Sequence, residues 1–138
     1  WRMNIEKWDF PDDLFYDTHY QWIRRDEDKI RFGLTPYGLD VTGDVLYLVL
    51  PDVGTNIGAG DSCGSLEAGK WVGRVYAPAS GRVTRVNQAV VSVPGLISED
   101  PYDCWFAEIE LAKEEDLKGL MTASSFAAWV AEELKKDA

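Results

Sequence analysis

The sequence predicts a mainly β fold with flanking helices. Three observations predict it. Short runs of alternating apolar and polar residues recur through the first four-fifths of the chain. Glycine-rich turns separate them, with glycines at 54, 58, 60 and 64 in one stretch. A helical period of apolar residues takes over only from about Lys113. Many short strands with tight turns and segregated helices argue for a small sandwich or barrel.

Residues 1–15 are polar and aromatic by turns, end near Pro11-Asp12-Asp13, and read as an extended N-terminal arm. YDTHYQWIRR and DKIRFGLT read as two strands around the turn Asp26-Glu27-Asp28, because Ile30 and Phe32 alternate with Lys29 and Arg31. Thr35-Pro36 supplies a capping hydroxyl followed by a proline suited to a first helical position, so a short helix follows and ends near Gly43. GDVLYLVLPDVG is a strand stopped by Pro51 and Gly54. SLE and WVGRVYAP are strands joined by a turn at Ala68-Gly69-Lys70. GRVTRVNQAV alternates again, PGLISEDP is a loop, and CWFAEIEL is a last strand. KEEDLKGLM is a short helix. SSFAAWVAEELKK is another, capped by Ser124 or Ser125, with Phe126, Trp129, Val130 and Leu134 on one face. A faint internal echo links Gly54–Asp61 with Ser80–Asn87, each running from a small turn residue to Asp or Asn. Residues 16–138 therefore read as a single domain, with a β core over about 16–112 and C-terminal helices over about 113–136.

Composition narrows the function classes. The 138 residues suit one domain, and the 46% hydrophobic and 28% charged content is that of a soluble globular protein. The net charge of −10 opposes phosphate binding, so nucleic acid is not an expected partner. No apolar run approaches the roughly 20 residues of a membrane span, and no secretory signal pattern stands at the start. Cys63 and Cys104 make neither a disulfide framework nor a CxxC pair, which fits reduced thiols in the cytoplasm. One histidine and two distant cysteines do not make a metal site. His19 is a candidate proton shuttle by residue type, and a hydrogen-bonded strand-end residue by the commoner pattern.

The segment Ser65-Leu66-Glu67-Ala68-Gly69-Lys70-Trp71 raises a sharper question. A lysine in a turn is ordinarily a solvated charge. A lysine at a hairpin tip is also where a covalent arm would be free to swing, and acylation would remove its charge and add length. Spacing by itself favours the solvated charge.

A wider pattern reverses that. FGLTPYG (32–38), GDVLYLVLPDVG (43–54), AGDSCGSLEAGK (59–70), YAPASGRVTRVN (76–87) and EDPY (99–102) before Trp105 occur in that order. From about Tyr16 to Glu133 the chain resembles the H protein of the glycine cleavage system and its lipoyl-carrier relatives. The resemblance implies a lipoyl-type hybrid barrel-sandwich with C-terminal helices. It implies lipoic acid in amide linkage on Lys70, within the Ser65-x-Glu67-x-x-Lys70 pattern, and no catalytic residues of the protein's own. Glu67 would present the hairpin to a lipoate ligase or lipoyl transferase, Gly69 would clear space, and Trp71 would pack against the arm. Biotin carriers share the hairpin but place methionines beside the lysine, where this chain has Gly69 and Trp71.

The chain departs from the H-protein pattern around the lysine. Tyr20-Gln21 stands where a His-Glu pair usually precedes the tryptophan, here Trp22. Ala68-Gly69-Lys70-Trp71 replaces the usual Ser-Val-Lys-Ala, and Asp103-Cys104-Trp105 replaces glycines before a tryptophan. In these respects it looks more like the lipoate-binding proteins of sulfur oxidation. That resemblance implies a monomeric carrier shuttling a sulfur-bound intermediate and reducing equivalents in the cytoplasm. Its partners would be a heterodisulfide-reductase-like complex and dihydrolipoamide dehydrogenase. The alternatives are an aminomethyl carrier of glycine cleavage and an unmodified interaction module. Cys63 and Cys104 are expected to be buried thiols or a structural disulfide, with redox exchange the less favoured role.

Overall fold

The computed structural model describes residues 2–5 and 7–136. Among the described residues eleven strands form three sheets: β1 (Arg2–Ile5) with β2 (Trp8–Pro11), a six-stranded sheet, and a three-stranded sheet. The six-stranded sheet runs in the order β3 (Phe15–Tyr16), β4 (Gln21–Asp26), β5 (Lys29–Leu34), β11 (Ala107–Leu111), β10 (Gly81–Val86), β7 (Asn56–Ile57). The three-stranded sheet is β6 (Val45–Val49), β8 (Ser62–Ala68) and β9 (Val72–Tyr76).

Alternation explains how these sheets pack. Ile30, Phe32 and Leu34 on β5, Val83 on β10 and Ile109 on β11 face inward. They meet Val45 and Leu48 on β6, Leu66 on β8 and Val75 on β9. The two sheets thus close a sandwich over one apolar core, as the period-2 runs require. The echoing segments lie side by side, with Gly81 opposite Ile57 and Arg82 opposite Asn56.

A second, aromatic core lies outside the six-stranded sheet. Trp8, Phe10, Leu14, Tyr16, Trp22, Tyr37, Phe126 and Val130 are buried together. Phe126 stacks on Tyr16 with centroids 4.8 Å apart and meets Phe10 edge-on at 4.9 Å. This corrects the expectation of an extended arm over residues 1–15. Within the described residues, positions 2–11 form a hairpin, because Trp8 and Phe10 alternate with Asp9 and Pro11 and bury one face against the C-terminal helix α4 (Ala123–Lys136). Trp1 and Glu6 of that expected arm lie outside the described residues.

Helices also interrupt the sheet rather than keeping to the end of the chain. α1 (Pro36–Thr42) begins as expected: the Thr35 hydroxyl accepts from the Gly38 amide at 3.0 Å and donates to the Tyr20 carbonyl at 2.7 Å. The strand expected through Val90 stops at Val86, and α2 (Gln88–Ser92) follows, then α3 (Leu96–Glu99). Residues 104–106 are not strand; the Cys104 amide donates to the Asp100 carbonyl, closing the turn after α3. Glu114–Gly119 is a 3-10 turn. α4 starts at Ala123, where the Thr122 hydroxyl, not Ser124 or Ser125, accepts from the Ser125 amide at 3.2 Å.

Candidate functional site

The site is built around the β8–β9 turn. β8 and β9 pair from Ser62 opposite Tyr76 to Glu67 opposite Val72, and the chain reverses over residues 68–71. The Ala68 amide donates to the Trp71 carbonyl at 2.8 Å, closing the turn. Lys70 stands exposed at its tip.

What holds this tip is the segment joining α1 to β6. The Lys70 amide donates to the Thr42 carbonyl at 2.8 Å, and the Gly69 amide donates to the Asp44 carbonyl at 3.1 Å. Both bonds are backbone to backbone, so the tip's position does not depend on its own side chains. Gly43 lies between the two acceptors with φ +82° and ψ −178°, a region open essentially to glycine. A Cβ there would come within 3.2 Å of the Lys70 amide nitrogen. The Lys70 Nζ donates to the Asp40 carbonyl at 3.1 Å, while the Asp40 carboxylate accepts from Trp8 Nε1 at 2.5 Å and pairs with Lys7 at 3.3 Å. The N-terminal hairpin, α1 and the turn are therefore tied together through Asp40.

Glu67 is exposed on β8 between Tyr47 of β6 and Val72 of β9, both also exposed. Gly69 has nothing within 4 Å of where a Cβ would be, so the space beside the lysine is open whatever residue stands there. Trp71 is half-buried, and its ring covers Gly73, where a Cβ would fall 1.9 Å from the indole. Next to it lies a groove of about 210 Å³ lined by Thr18, His19, Tyr20, Trp71, Arg74 and Tyr76. His19 stacks on Tyr76 at 4.0 Å and donates its amide to Asp17 at 2.9 Å. Asp17 also accepts from the Gln21 amide and Nε2, and burial pushes its carboxyl up from the usual range against those bonds.

The cysteines are not brought into this constellation. Both are free thiols. Cys63 is half-buried on β8, and burial pushes its thiol up to about 11. The Cys104 thiol donates to the Leu96 carbonyl at 3.2 Å and is pushed up by burial and by Asp100 and Asp103. Neither is primed as a thiolate nucleophile. Among the described residues no group of histidine, cysteine and carboxylates could hold a metal ion, and no helix is long and apolar enough to cross a membrane.

Sequence reading singled out Lys70 and missed the backbone carbonyls that hold it. Asp40, Thr42 and Asp44 act through backbone carbonyls, which no side-chain motif announces. Arg74 was legible as an outward position of β9, two residues from Val72 and Tyr76.

A rigid hairpin presenting one exposed amine, with its chemistry left to whatever is attached, defines a carrier domain. The comparisons agree. The model of the family "Glycine cleavage H-protein" matches residues 14–133, and the chain belongs to that family. The glycine cleavage system H protein of Thermoanaerobacter sp. (strain X514) is 38% identical over 120 residues, 87% of this chain and 95% of that protein. The H protein of Synechococcus sp. (strain JA-3-3Ab) is 40% identical over 123 residues, 88% and 95% of the two chains. The crystal structure of a glycine cleavage system H protein from Mycobacterium marinum superposes with a TM-score of 0.82 at 32% identity, covering 88% of this chain and 99% of that one. Proteins of this family are non-catalytic carriers bearing lipoate covalently on a lysine, and they interact with lipoyl-attaching enzymes.

Proposed function

We propose that this chain is a cytoplasmic lipoyl carrier whose attachment point is Lys70. The observation that carries this is the tip itself: an exposed amine on a backbone clamped to Thr42 and Asp44, with open space at Gly69. Those residues fit an attached arm. When bound, the dithiolane supplies reversible opening and closure by thiol–disulfide exchange. The chain's own residues do the presenting. Glu67, flanked by Tyr47 and Val72, offers a charge and apolar surface to a lipoate ligase or lipoyl transferase. Dihydrolipoamide dehydrogenase would reoxidise the arm.

For the cargo, the names of the relatives support aminomethyl carriage in glycine cleavage. One observation favours a second reading, a sulfur-bound intermediate passed to a heterodisulfide-reductase-like complex. Tyr20 and Trp71, two positions where the chain departs from the H-protein pattern, line the same groove beside Lys70. Intact mass and peptide mapping of protein from the native host test the carrier: a lipoyl adduct on Lys70 is expected. A bare Lys70 with the ligase present turns the chain into an interaction module. Incubation of the lipoylated protein with glycine decarboxylase and aminomethyltransferase tests the cargo. Efficient turnover establishes glycine cleavage and sinks the sulfur reading.

A further inference from the structure

The groove beside Trp71 has a sign. Three of its six lining residues are large aromatics, Tyr20, Trp71 and Tyr76, and the fourth ring, His19, is stacked on Tyr76. None of the six is a carboxylate. Arg74 is its one fixed cation, exposed, and it forms no ion pair with any described residue. Glu67 lies diagonally across β8 on the same exposed face but does not pair with Arg74, and Asp17 spends its oxygens on the amides of His19 and Gln21 and on the Gln21 side chain. On a chain of net charge −10, an unpaired guanidinium between aromatic walls stands apart from the surface around it. Such a guanidinium attracts an oxyanion or carboxylate and repels an ammonium.

The groove is also within reach of the tip. Val72, Arg74 and Tyr76 alternate outward along β9, so Arg74, four residues on from Lys70, lies at most about 13 Å along the chain from it. A lysine stem prolonged by a medium-chain acyl group covers that span. The aromatic walls suit its hydrocarbon and sulfur atoms, which leaves the far end beside Arg74.

We propose that Arg74 sets the sign of the cargo this carrier holds: the groove accepts an anionic group borne on the arm's sulfur and disfavours a cationic one. This rests on the carrier reading of Lys70. It adds that a protonated amine is the wrong load for this chain and that an oxyanion or a carboxylate is the right one.

The test uses the full chain lipoylated by a lipoate ligase, with intact mass confirming one adduct on Lys70. The reduced arm is then alkylated with iodoacetate, iodoacetamide or bromoethylamine, giving ends that are anionic, neutral or cationic and otherwise alike. The readout is the ¹H–¹⁵N signals of Trp71 Nε1 and Arg74 Nε. The carboxymethyl arm is expected to occupy the groove about fivefold more than the aminoethyl arm, the scale of one exposed ion pair. The difference should shrink in high salt. Arg74→Gln should erase the preference and Arg74→Glu should reverse it. Equal shifts from the anionic and cationic arms, or an unchanged order in Arg74→Glu, overturn the proposal while leaving the carrier intact. Failure to form the adduct on Lys70 overturns both.

Discussion

Gly43→Ala tests the claim that the lysine is positioned from below. Gly43 has φ +82° and ψ −178°, so an alanine there must either adopt a conformation costing about 2 kcal/mol or rotate its peptide units. Rotation would redirect the Thr42 carbonyl that holds the Lys70 amide at 2.8 Å. The added methyl would also press on that amide from 3.2 Å. At about 2.1 cal/mol/K per residue, a chain of 138 residues has an unfolding entropy of about 290 cal/mol/K, so 2 kcal/mol lowers Tm by about 7 °C. Thermal unfolding by circular dichroism reads the total. Amide hydrogen exchange reads its location, with faster exchange expected at Gly69 and Lys70. Gly69→Ala is the control, because its Cβ meets nothing and Gly69 is not among the positive-φ residues. A Tm fall below about 2 °C in Gly43→Ala, or an equal fall in both variants, would refute the reasoning.

Two further predictions come from groups away from the tip. Cys63 rises from 9.0 to about 11, so below both values its thiolate fraction is about a hundredfold under that of an ordinary thiol. Iodoacetamide at pH 7.5 should therefore label it far more slowly than free cysteine, and rapid labelling in the folded protein would contradict the burial. Glu108 is pushed up by burial but more strongly down by bonds from the Thr84 hydroxyl and Arg31, leaving it below its ordinary 4.5. A depressed carboxyl stabilises the fold above its unfolded value and stops doing so as pH falls through its folded one. Glu108→Gln should thus cost about 1.5–3 kcal/mol near pH 7, a gap that narrows below pH 4.5. A gap independent of pH in urea titrations would show that the charge contributes nothing.

What the sequence made legible follows from how each feature is encoded. The Ile30–Phe32 alternation and the Thr35-Pro36 pair are local, and both became the expected strand and helix. Val90 misled because β-branched residues suit strands, yet it is buried from a short helix after Asn87. The N-terminal hairpin was hidden for another reason. Trp8 and Phe10 do alternate with polar residues, but their partner, α4, lies more than a hundred residues away. Lys70 was singled out through side-chain motifs. The carbonyls that fix it are common to every residue type, so only the folded chain reveals them.

The clamp on the tip has a consequence for how such a carrier can change over time. Placement of Lys70 is written in the main chain, at Thr42, Gly43 and Asp44. Recognition, under the function proposed above, would be written in side chains, at Glu67, Trp71 and Arg74. The two are therefore inherited separately. A lineage can rewrite the residues its partners read while the amine stays where it was, so one scaffold can be handed from one metabolic trade to another by surface substitutions.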